Sequence, residues 1–233
     1  MSAKFNVTYG IKEFQIEITR EGNLSFLDYD IEYDLALREF GEEKTAAVRL
    51  VDKLDEEPIY FITTYLNIPH RNMIYLAADW AERVLWIFEN EHPKDKRPKN
   101  AIQAARDFVD GKIDEEKLNT AWERAKRAEL KADVAASSAN TDQMARTGKM
   151  LSKGAMWAVA EAAGAATAVA RGTLFGVVAA RAKYAVDAYY REPYGRIKSI
   201  PAHDELSWQI RRFVDCMEAV QAGEDWPDLK ATE

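Results

Sequence analysis

Residues 153–190, KGAMWAVAEAAGAATAVARGTLFGVVAARAKYAVDAYY, decide the fold. Ala160, Gly164, Ala168, Gly172, Gly176 and Ala180 recur there at four-residue spacing, which lines them up on one face of a helix. Such a stripe of small side chains lets a neighbouring helix approach backbone to backbone. It predicts tight packing inside a helical bundle, with a homodimer through the same stripe as the alternative. Gly172 and Gly176 also predict a break into two helices, since each costs about 1 kcal/mol relative to alanine in a helix interior. The stretch does not read as a membrane span: its uncharged runs, 162–170 and 172–180, are nine residues each around Arg171, about half of what a bilayer requires.

Helical spacing continues in both directions from this stretch. Ile74, Ala77, Ala78, Ala81, Val84, Leu85 and Phe88 fall at three- and four-residue steps and predict a helix over about 70–91. The loop His92-Pro93-Lys94-Asp95-Lys96-Arg97-Pro98 separates it from a helix over 100–110, which Gly111 ends. Asp114 then reads as the N-cap of a helix to about Ser137 that puts Leu118, Ala121, Trp122 and Ala125 on one face. After the loop around Tyr194-Gly195 and Pro201, residues 203–222 form a last helix with Leu206, Ile210, Phe213, Val214 and Met217 on one side.

The first residues differ in kind. Phe5, Val7 and Tyr9, then Phe14, Ile16 and Ile18, then Leu24 and Phe26 alternate with polar residues, and period two means strands. A three-stranded antiparallel meander over 3–27 follows, with helices over 31–40, 45–54 and 58–66 after it. The fold class is therefore mainly α, a multi-helix bundle with a small N-terminal antiparallel β-meander. Residues 1–68 hold the meander and acidic helices, and 69–233 the alanine-rich bundle.

Charge is as unevenly placed as structure. Residues 1–60 carry 7 Lys and Arg against 14 Asp and Glu, so the whole net charge of −7 of the 233-residue chain resides there. Asp28, Asp30, Glu32, Asp34, Glu42 and Glu43 concentrate it. Read plainly, they are helix-start acids and solvated faces; read functionally, a one-signed surface that steers a basic partner. With a pI near 5.2 and no basic patch, direct nucleic-acid binding and attachment to anionic lipid are not expected. The single Cys216 cannot form an internal disulfide, and the N-terminal residues read as a strand rather than an apolar leader, so a cytoplasmic location is expected.

No motif announces catalysis. His70, His92 and His203 stand apart with no second ligand at metal spacing, and no phosphate loop or nucleophile elbow occurs. Asp79 and Glu82, one helical turn apart, could do acid–base work as a pair, but Arg83 and Arg106 are the simpler explanation as ion-pair partners. No catalytic residue, metal or cofactor is expected. Trp80 and Trp86 cannot share one helix face at six-residue separation, so one of them turns toward a second layer or a partner, and both join the acidic residues as candidate partner-binding positions.

Ala77-Ala78-Asp79-Trp80-Ala81-Glu82-Arg83-Val84-Leu85, Phe88-Glu89, Arg97-Pro98, Ala101-Ile102, Ala104-Ala105-Arg106 and Gly111-Lys112-Ile113 together resemble the helical immunity-protein family of bacterial polymorphic toxin systems, over residues of about 70–190. The resemblance implies a non-enzymatic binding protein that neutralises a cognate toxin or effector by covering its working surface, a role that suits the acidic N-terminal region. The alternative is a phage-encoded, anti-CRISPR-like inhibitor of a host defence system. A helical enzyme using Asp79 and Glu82 is a third reading.

Overall fold

The computed structural model describes residues 2–9, 12–19, 23–26, 47–49, 69–138, 153–171, 175–190 and 200–223. The strands are β1 (Ser2–Tyr9), β2 (Lys12–Thr19), β3 (Asn23–Phe26) and β4 (Ala47–Arg49). The helices are α1 (His70–Glu91), α2 (Arg97–Val109), α3 (Glu115–Ser138), α4 (Lys153–Arg171), α5 (Phe175–Tyr190) and α6 (Ile200–Gln221). The protein is mainly α with a small N-terminal antiparallel sheet.

The sheet runs in the order β1-β2-β3-β4, every pair antiparallel. Its register follows the alternation in the sequence: Ala3 stands opposite Ile18, and both are fully buried. The expected meander is thus present, with one strand more than expected. Ala47–Arg49 pairs with β3, Val48 opposite Leu24, where a helix over 45–54 was expected. A three-residue strand carries too little alternation to be seen in sequence, and the open edge of β3 supplies the hydrogen bonds that local spacing does not reveal. The helices expected over 31–40 and 58–66 lie outside the described residues.

The chain forms two compact units, residues 1–76 with 206–233, and residues 77–205. In the first, the side-chain amide of Gln221 near the end of α6 donates to the carbonyl of Lys4 in β1 at 2.6 Å, and Ile210, Phe213 and Val214 are buried. The second is the helical body. Its α2 starts at Arg97, three residues before the expected position, because Pro98 suits a first helical turn, where no backbone N–H is needed. Gly111 ends α2 with a φ of +71°, a left-handed conformation that glycine adopts without steric cost. The Asp114 carboxylate accepts a hydrogen bond from the backbone N–H of Lys117 at 2.9 Å, which is the expected cap of α3.

The centre of this body is α4. From Ala158 to Ala170 nearly every residue is buried, as required of a helix apolar on all sides. Helices α2, α3 and α5 pack on it. Helix α4 ends at Arg171 and α5 begins at Phe175, two helices as expected, with Gly176 in the first turn of α5 and residues 172–174 outside the described set.

Candidate partner-binding surface and charged clusters

Helix α1 presents Asp79 and Glu82 one turn apart, and Arg106 of α2 takes both. Its Nη2 donates to Asp79 at 2.7 Å and its Nη1 to Glu82 at 2.6 Å. Burial disfavours the guanidinium charge, yet the two carboxylates outweigh that and hold the Arg106 pKa above its ordinary value. The acid pair is thus engaged as the ion-pair reading expects. Arg83, the other expected partner, lies 3.8 Å from Glu205 of α6.

The two tryptophans of α1 part company. Trp80 is fully buried, and its indole N–H has no hydrogen-bond partner among the described residues. A side chain so enclosed offers no surface to a partner, so Trp80 is a core residue. Trp86 is 37% exposed and meets Tyr189 of α5 edge to face, with ring centroids 4.8 Å apart. That contact fixes the indole while about a third of the side chain stays open to solvent. Asp28, Asp30, Glu32, Asp34, Glu42 and Glu43 lie outside the described residues.

His70 is exposed at the start of α1, and the His92 ring lies 4.9 Å from that of Phe88; the side chain of His203 is outside the described set. Among the described residues no group of three or more His, Cys, Asp or Glu is placed to hold a metal ion. No described helix is long and apolar enough to cross a membrane. In the small-residue stripe, Ala160 and Ala168 are buried within the helical body, so this part of the stripe serves intramolecular packing.

Two features were not foreseen. An open cavity of about 470 Å³ lies along α2 and α3, lined by Arg97, Lys117 and Arg124 as well as by Asp114 and Glu116. Arg97 is clasped by Asp95 at 2.5 Å, which lowers the Asp95 pKa, so the cavity wall is already partly neutralised. The second feature crosses α4. Arg181 of α5 reaches over Gly164 to donate to Glu129 of α3 at 2.9 Å, and a Cβ at Gly164 would stand 1.7 Å from the Arg181 guanidinium. The sequence signal for this was the presence of Glu161 and Arg181 in otherwise alanine-rich stretches; Glu129, set among Lys126, Arg127, Lys131 and Asp133, gave none.

A family model described as Imm-5 like putative immunity protein matches residues 63–216, more than half of the chain. No curated protein and no solved structure matches it.

Proposed function

The chain belongs to the Imm-5 like putative immunity protein family, and from that premise we propose that it is a non-enzymatic inhibitor that neutralises a cognate toxin or effector by covering its working surface. The family match carries this reading. Two properties support a mechanism for it. The net charge of −7 is confined to the first 60 residues, which favours fast, oriented encounter with a basic partner. On the helical body, Trp86 is held by Tyr189 and open to solvent, the kind of side chain that holds a complex together once it has formed.

Association kinetics with a partner isolated from the native host test both parts. Replacing Asp28, Asp30, Glu32 and Asp34 by Asn or Gln should slow association at low salt and flatten its salt dependence, leaving the melting temperature almost unchanged. Trp86→Ala should instead speed dissociation. Equal association rates for wild type and the quadruple variant at low salt would reject the electrostatic mechanism. Turnover of a substrate by the purified chain, lost in Glu82→Gln without loss of fold, would reject the inhibitor reading itself.

A further inference from the structure

Among the described residues, the Glu129–Arg181 bridge sits in a seam with three carboxylates and two cations. Helix α3 contributes Glu129, Asp133 and Lys126, α4 contributes Glu161, and α5 contributes Arg181. Glu129 is almost completely buried and takes both cations, Arg181 at 2.9 Å and Lys126 at 3.2 Å. Glu161 is left 4.0 Å from Arg181, beyond hydrogen-bond distance. Asp133 feels Arg181 and Lys126 only as more distant charges. Among the described residues, the charges acting on Glu161 are those of Arg181, Asp133 and Glu129, none of them from α2, which also packs on α4.

We infer that this seam is a proton-operated latch between α3, α4 and α5, fastened by the Glu129–Arg181 bridge, weakened by one surplus carboxylate and tightened when Glu161 or Asp133 takes up a proton. Gly164 makes the latch possible, because its missing side chain is the passage through which Arg181 reaches across α4. Both titrating groups are set for the task. Burial, then the like charges of Asp133 and Glu129, raise the Glu161 pKa against the pull of Arg181. Burial, then Glu129, raise that of Asp133 against Arg181 and Lys126. A carboxyl that binds its proton more tightly folded than unfolded favours folding when protonated. The contribution of these two groups is therefore complete below the ordinary carboxylate range and is lost as pH rises through their raised values. The latch loosens as pH rises past the ordinary carboxylate range, and it is independent of what the protein binds.

The test is thermal unfolding of the full chain, wild type against Glu161→Gln, across a pH series from about 8 down to about 5. The amide mimics the protonated carboxyl, so the variant should melt higher than wild type at pH 8, by about 2 °C or more, and the gap should close as pH falls. Comparing the two proteins at each pH cancels the carboxylates they share. A gap independent of pH, or a variant that melts lower at pH 8, would overturn the inference. Asp133→Asn is measured by the same criterion and decides the matter if Glu161→Gln does not fold.

Discussion

Arg106 and Arg181 each reach carboxylates on neighbouring helices, and they are satisfied to different degrees. Arg106 meets two carboxylates from one helix, one turn apart, and makes both contacts within 2.7 Å. Arg181 meets carboxylates from two different helices and makes one short contact, to Glu129, with Glu161 left at 4.0 Å. The difference lies in what sets the spacing. Along one helix, the i, i+3 interval places two side chains within the span of a guanidinium fork by covalent geometry. Between helices, the spacing follows from packing, and here it is decided by alanines and a glycine that bring α3, α4 and α5 together. The first arrangement is a closed clamp; the second leaves acidic charge over.

The largest loss is expected at Arg106. Arg106→Met removes the guanidinium facing a buried Asp79, and loss of one partner of such a pair costs about 3–5 kcal/mol. Urea denaturation should show it as a large fall in midpoint. Arg181 is a third exposed, so Arg181→Met should cost clearly less; equal losses would mean that the two arginines are satisfied alike. Next in size, Ala168→Leu tests whether α4 is held as tightly as a glycine passage requires. Ala168 is buried, and overpacking should cost about 1–3 kcal/mol; an unchanged midpoint would mean α4 has room to yield.

Gly164→Ala acts on the Arg181 passage itself. The added methyl collides with the movable end of Arg181 rather than with backbone, so the guanidinium swings away and Glu129 loses its closest partner. The loss should exceed the helix-propensity gain of about 1 kcal/mol, giving a net fall in stability. In an Arg181→Ala background the same substitution should become stabilising, and a double-mutant cycle reads the reversal. Arg127→Ala should do least. Its partner Glu123 lies one turn away on the exposed side of α3 at 3.4 Å, and a resolvable loss there would show that exposed pairs carry weight in this fold.

Much of this architecture was legible. Spacing in the sequence placed α1 at its observed ends, set the cap at Asp114, ended α2 at Gly111 and foresaw two helices over residues 153–190. It also paired Asp79 and Glu82 with Arg106, because that pairing needs only one helical turn and a nearby cation. Trp80 and Trp86 could be read as facing different ways, but which of them faced solvent could not, since charged residues flank the one that is buried, Trp80, and apolar residues the one that is exposed, Trp86.

Periodicity, caps and breakers act over a few residues, and everything above that depends on them is written in the chain itself. The strand Ala47–Arg49 is not, because its reason for existing is the open edge of β3 some twenty residues earlier. Nor is the meeting of Glu129 with Arg181, 52 residues apart, which required α4 to be small enough at Gly164 for a side chain to pass over it. Long-range contacts of this kind are chosen by which packing buries the most apolar surface, and the charges they bring together are a consequence of that packing.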